Sequence, residues 1–263
     1  MLLDATLPPV GAVPQVDTHA RYLERHLPGA VFFDIDDLSD HSTPLPHMLP
    51  AADEFARRAG ALGISDTGTI VVYEQENVFS APRAWWMLRT FGARQVYVLN
   101  GGLSAWIEAG LPTEFGAVHR APTTFNAFLN AEAVKNLPQL KQLLDDRQTR
   151  PQILDARSSG RFDGTAPEPR PGLSSGHMPG ATSLPFTELL EAGRLRPEAE
   201  LRKLVASRGI DLQQPITTTC GSGVTAAVIA LSLEIIGAKQ VALYDGSWAE
   251  YAQQPDSAIH KNT

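Results

Sequence analysis

The sequence predicts an α/β protein built from two tandem copies of one domain, each a mainly parallel sheet flanked by helices. Length, internal repetition and alternation of element types carry that expectation. At 263 residues the chain is long for one domain and comfortable for two of about 100–150 residues each. The run Phe91-Gly92-Ala93-Arg94-Gln95-Val96-Tyr97-Val98 reads onto Ile236-Gly237-Ala238-Lys239-Gln240-Val241-Ala242-Leu243 at an offset of 145 residues. His26-Leu27-Pro28-Gly29-Ala30 matches His177-Met178-Pro179-Gly180-Ala181, and Leu3-Asp4-Ala5 matches Leu154-Asp155-Ala156, both at 151. Gly63-Ile64 matches Gly209-Ile210 at 146. Self-similarity of this extent means duplication.

Each element follows from local pattern. Ile70-Val71-Val72-Tyr73 and Val96-Tyr97-Val98-Leu99 are short β-branched or aromatic runs bounded by turn residues, and in the second copy 216–219 and 241–244 take their place. Helices are expected between them, at 81–91 and 224–236. The alternation argues a parallel sheet. The expected domains are 1–116 and 131–263, with a Thr-, Pro- and Asn-rich linker at 117–130. The shift in offset makes the first copy about five residues longer, mostly within 30–50, a polar, proline-broken loop of the kind that often carries function.

Composition narrows the function. A net charge of −7 argues against nucleic-acid binding and offers no polybasic membrane patch. The longest apolar run, 224–236, is too short for a bilayer and suits a buried helix. No secretory leader is visible at Met1-Leu2-Leu3-Asp4, and one cysteine cannot close an internal disulfide, so a reducing, cytoplasmic setting is expected.

That cysteine is Cys220, in Cys220-Gly221-Ser222-Gly223-Val224-Thr225-Ala226, which follows a strand and opens a helix. A lone cysteine is more often a small buried hydrophobe. Here the two glycines let the backbone curl so that unpaired N–H groups at the helix start converge, a setting that favours a thiolate or a persulfide anion. The matching turn of the first copy, Tyr73-Glu74-Gln75-Glu76-Asn77, has no cysteine, so one active site per chain is expected. Phosphoryl transfer through Cys-x5-Arg is disfavoured, because Ala226 stands where the arginine would be. No His/Cys/Asp spacing suggests a metal, and no cofactor is expected.

The loop 220–226, together with Ser80-Ala81-Pro82-Arg83-Ala84-Trp85-Trp86, Asn100-Gly101-Gly102-Leu103 and Tyr244-Asp245-Gly246-Ser247-Trp248, resembles the tandem-domain rhodanese superfamily, closest to its 3-mercaptopyruvate sulfurtransferases. The likeness runs essentially the full length. It implies a persulfide on Cys220, sulfur taken from 3-mercaptopyruvate, and delivery to a thiol such as thioredoxin or to cyanide. It implies that Arg161 and Arg170 bind the donor, with Gly221, Gly223, Val224 and Thr225 shaping the loop around it. A planar guanidinium suits a carboxylate, in keeping with that role. It implies a relay of Ser222, His47 and Asp36, with His41 and Asp34 as neighbours that spacing does not exclude. His177 has a counterpart in His26 and Asp155 in Asp4, which argues structural roles for both. The tryptophan pair Trp85-Trp86 is expected in inter-domain packing. Thiosulfate:cyanide transfer, a non-catalytic persulfide carrier and a thiol redox sensor are the alternatives; the thiosulfate enzymes usually place basic residues after the cysteine, and this loop has none.

Overall fold

The computed structural model describes residues 1–8, 16–146 and 151–262. The chain forms two compact units, Met1–Thr43, Leu49–Asn130 and Ala192–Arg194 in one, and Pro44–Met48, Ala131–Glu191 and Leu195–Thr263 in the other.

The first unit alternates β1 (Leu2–Asp4), α1 (Thr18–Glu24), β2 (Val31–Phe32), α2 (Ala52–Ala61), β3 (Thr69–Tyr73), α3 (Ala81–Thr90), β4 (Gln95–Val98) and α4 (Gly102–Glu108). Its strands lie in the order β2-β1-β3-β4, all parallel, with Leu3 opposite both Val31 and Val72. Leu3, Val72, Phe55 and Phe91 are fully buried beneath the helices, and Phe55 stacks on Phe91 at 4.2 Å between ring centroids. Trp85 and Trp86 are buried on α3, with the Arg83 guanidinium 4.5 Å over the Trp86 ring.

The second unit runs β5 (Val134–Lys135), α5 (Leu137–Asp145), β6 (Gln152–Asp155), α6 (Ser159–Asp163), β7 (Thr182–Ser183), β8 (Leu190–Glu191), β9 (Arg194–Leu195, of which Arg194 counts with the first unit), α7 (Glu198–Ser207), β10 (Ile216–Thr219), α8 (Ala226–Ile235), β11 (Val241–Tyr244) and α9 (Ser247–Tyr251). The order β5-β11-β10-β6-β7 repeats the first sheet's and adds one edge strand. Strand β10 is buried along its whole length, as a central parallel strand covered on both faces must be. Helix α8 is buried on nearly every side, and its sequence is accordingly apolar all round.

Two boundaries differ from expectation. Helix α8 starts at Ala226 rather than 224, because Val224 and Thr225 belong to the turn that delivers the chain from β10. Residues 117–130, expected to link the domains, lie along the first unit: the Thr123 amide donates to Gly60 O at 2.9 Å and the Phe128 amide to Phe91 O at 3.0 Å. Phe125, only 4% exposed, packs edge-on against Phe55. Gly60 makes this possible, since a Cβ there would sit 2.5 Å from Thr123 O.

Candidate active site

Cys220 is the first residue past β10, at the carboxyl end of the sheet where ligands of open parallel sheets bind. It is buried. The loop it opens is clamped from behind by α9. The Trp248 amide donates to Cys220 O and the Ala249 amide to Gly221 O, both at 2.9 Å. In a planar trans peptide the next N–H points opposite to the carbonyl, so the Gly221 and Ser222 amides face away from α9. Cys220 N–H itself donates to Ser247 Oγ at 3.3 Å, and Ser247 Oγ–H donates to Tyr244 O at 2.9 Å. Ser247 reaches this position with a left-handed φ of 49°.

The two loop glycines differ in purpose. Gly223 adopts a φ of 78°, the left-handed turn that leads into α8. Gly221 does not; its requirement is space. A Cβ at Gly221 would stand 3.0 Å from Arg161 Nη2 and 3.4 Å from Arg170 Nη1, so both guanidiniums lie against the residue after the cysteine. Arg170 Nη2 also donates to Ser222 Oγ at 3.0 Å, and Ser222 is buried. Cys220, Gly221, Ser222, Arg161 and Arg170 are therefore brought together within one unit. Val224 is buried and Thr225 half-buried at the mouth of α8.

Arg161 is held by a network the sequence did not reveal. Glu168, whose side chain is 2% exposed, accepts from Arg161 Nη2 at 2.6 Å and from Arg157 Nη1 at 2.7 Å. Arg157 in turn donates from Nε to both Asp155 oxygens at 3.0 Å and from Nη2 to Asp155 Oδ2 at 2.5 Å. Its guanidinium lies 4.0 Å over the Trp248 ring. Burial works against the Arg157 charge, but Asp155 and Glu168 outweigh it and the net shift of its pKa is upward. Asp155 is thus structural, as its repeat with Asp4 suggested. The signal for Glu168 was present as a carboxylate between two arginines in a Gly/Pro-rich segment.

The relay residues are placed as follows. Asp36 is exposed in a turn of the first unit, and His47 belongs to the segment Pro44–Met48 grouped with the second unit. His47 has a left-handed φ of 61°. Asp34 caps the turn by accepting from the Asp36 and Asp37 amides at 3.0 and 3.1 Å, and His41 Nε2 bonds Asp37 O at 3.1 Å; both are occupied within their own loop. His177 is buried, stacked 4.0 Å from Phe162 with Nδ1 on Phe162 O, and His26 is buried with Nδ1 on Tyr22 O. Their matching environments bear out a structural role. Among the described residues no cluster of His, Cys, Asp or Glu could hold a metal ion, and no helix is long and apolar enough to cross a membrane.

Comparison with known proteins adds the chemistry. The rhodanese-like domain family matches twice, at residues 13–109 and 136–254. The 3-mercaptopyruvate sulfurtransferase of Escherichia coli is 48% identical over 90% of this chain and 84% of its own length, and the human one 43% over 95% and 84%. The crystal structure of SseA from Escherichia coli superposes with a TM-score of 0.85 at 43% identity, covering 95% of this chain and 92% of that one. The sulfur transferase subunit of yeast mitochondrial complex I gives 0.90 at 35% identity, with 99% and 94% covered. With both domains matched and relatives this similar along nearly its whole length, the chain belongs to the rhodanese family, as a sulfurtransferase enzyme of the 3-mercaptopyruvate type.

Proposed function

We propose that the enzyme takes sulfur from 3-mercaptopyruvate onto Cys220 and passes it to a thiol, thioredoxin in the cytoplasm, or to cyanide. One observation carries the reading: the Arg161 and Arg170 guanidiniums both stand against Gly221, the residue that follows the cysteine. A donor carboxylate held by those forks brings its sulfur, two carbons away, to the thiolate. The thiolate attacks the donor's thiol sulfur and forms the S–S bond. The electron pair of the breaking C–S bond passes to carbon, giving the enolate of pyruvate, which then takes a proton. Ser222, His47 and Asp36 are the relay proposed for that proton, the roles that the family resemblance implies for them. The contact from Arg170 to Ser222 Oγ supports placing the serine beside the donor. In the second half-reaction an acceptor thiolate attacks the outer persulfide sulfur and restores Cys220.

A second reading keeps thiosulfate as donor. Its support is a relative 42% identical from Arabidopsis thaliana that carries the name thiosulfate/3-mercaptopyruvate sulfurtransferase. A non-catalytic persulfide carrier would load from a partner and turn over no small donor. The intact mass after exposure to mercaptopyruvate separates these readings. Gain of one sulfur atom with release of pyruvate is expected, and none in Cys220→Ser, whose alcohol stays un-ionised at neutral pH. A far higher specificity constant with thiosulfate would overturn the choice of donor.

A further inference from the structure

We infer that Glu168 is the positioning residue of this enzyme: it holds Arg161 by one edge and thereby aims the other edge at the donor. The inference rests on mercaptopyruvate as donor and goes beyond it by assigning what fixes the binding arginine. A guanidinium carries two usable forks, one formed by Nε and a single Nη, the other by the two Nη groups. Glu168 occupies the first. Arg161 Nε lies 3.2 and 3.1 Å from its two oxygens, and Nη2 2.6 Å from Oε2. That leaves Nη1 and the second N–H of Nη2 as a forward-facing pair, and Nη2 is the atom found against Gly221.

Glu168 can serve as a mount because it is itself fixed. Its side chain is almost wholly buried, and Oε1 accepts from Arg157 Nη1 at 2.7 Å. Arg157 is immobilised by Asp155 at the end of β6, by Gly176 O at 2.7 Å and by the Trp248 ring. Trp248 also supplies the amide that clamps Cys220 O, and its Nε1 donates to Ser174 O at 2.9 Å. The mount of the arginine and the clamp of the cysteine loop thus share one residue, Trp248, through its ring and its main-chain amide, which keeps guanidinium and thiol in register. The charges of Asp155, Arg157, Glu168 and Arg161 cancel, so Arg170 and Arg161's free edge meet the incoming carboxylate without a surplus of buried positive charge.

The test compares the wild type with Glu168→Gln and Glu168→Asp in two half-reactions read by intact mass. Loading of Cys220 is followed against mercaptopyruvate concentration, and discharge of the loaded persulfide is followed with dithiothreitol. Glu168→Gln is expected to raise the half-saturating mercaptopyruvate concentration about tenfold, or ~1.4 kcal/mol, with the discharge rate unchanged because that step makes no use of Arg161. Glu168→Asp, which keeps the charge, should recover part of the loss. Unchanged half-saturation in Glu168→Gln overturns the inference. So does equal slowing of both half-reactions at unchanged half-saturation, the mark of a purely structural role. Should Glu168→Gln fail to fold, the same split is read in Glu168→Asp, where a severalfold rise in half-saturation is expected and no rise overturns the inference. A wild type that takes no sulfur from mercaptopyruvate overturns the donor assignment and this inference together, whereas loss of the split alone leaves the donor assignment standing.

Discussion

The turns after β3 and after β10 are the same structure put to two uses. Glu74 follows β3 as Cys220 follows β10, and each is clamped by the helix after the next strand, α4 or α9: the Leu103 amide donates to Glu74 O as the Trp248 amide donates to Cys220 O, both at 2.9 Å. What differs is the occupant. The Glu74 carboxylate turns inward and accepts from the amides of Phe79, Ser80 and Ala81 at 2.7, 2.8 and 3.1 Å, and from Ser80 Oγ at 2.9 Å. The first unit therefore fills its own helix-start cradle with a tethered carboxyl group, where the second unit offers a thiol. A strand–turn–helix frame that can hold a persulfide anion is stable with a carboxylate in the same place.

The strongest way to break the equivalence is at the clamp itself. Gly102, with φ of 56°, and Ser247, with φ of 49°, occupy corresponding positions at the start of α4 and α9. A Cβ on Gly102 would lie 2.1 Å from Glu74 O and 3.2 Å from Glu76 O, both main-chain atoms that cannot step aside. Gly102→Ala is expected to cost the first unit more than about 3 kcal/mol. Hydrogen exchange should show faster opening of the β1, β3 and β4 amides with those of β6 and β10 unmoved. Protection unchanged in β3 would mean that the first clamp has room for a Cβ, as the second has at Ser247.

A comparable effect is expected from pH. Burial pushes the Glu74 carboxyl up to about 7, against the pull of its four donors. The unfolded chain releases that proton near 4.5, so between those values the folded state holds a proton that the unfolded state has lost. The stabilisation is complete below 4.5 and disappears as pH rises through 7, by at most something on the order of 3 kcal/mol. Asp4, also raised by burial, drifts in the same direction. The measurement is the fall in unfolding midpoint between pH 5 and 8. Glu74→Gln should flatten most of it, whatever its absolute stability, and an undiminished slope would remove Glu74 as the cause.

How much of this was legible in the chain depends on distance along it. The duplication, the parallel strands and the Cys220 loop are local patterns, and they appear where β10 and α8 form. The absence of a second cysteine was legible too, but not that Glu74 turns inward, because an isolated Glu in a turn gives no sign of whether it meets solvent or amides. Residues 117–130 read as a linker by composition, while Phe125 decides their course by burying itself on Phe55. The Asp155-Arg157-Glu168-Arg161 network was the least visible. Its charges are close in sequence, yet only the fold, with Trp248 brought in from the far end of the chain, determines which atoms pair.

The smallest expected effect concerns sign rather than size, and it sharpens the comparison most. At the clamp position the first unit uses glycine, which adopts a positive φ without strain, and the second uses serine, which does not. The serine earns its place through Oγ, which accepts from the Cys220 amide. Ser247→Ala keeps the strained backbone and strands a buried N–H, for a loss of about 1–2 kcal/mol. Ser247→Gly strands the same group but relieves the left-handed strain, worth roughly 1 kcal/mol. Glycine should therefore be the less harmful substitution, the reverse of the usual ranking of glycine below alanine at helical positions. Denaturant midpoints of the two variants decide the order. A Ser247→Gly protein less stable than Ser247→Ala would mean that the backbone at 247 is not strained, and that the hydroxyl has some duty other than offsetting it.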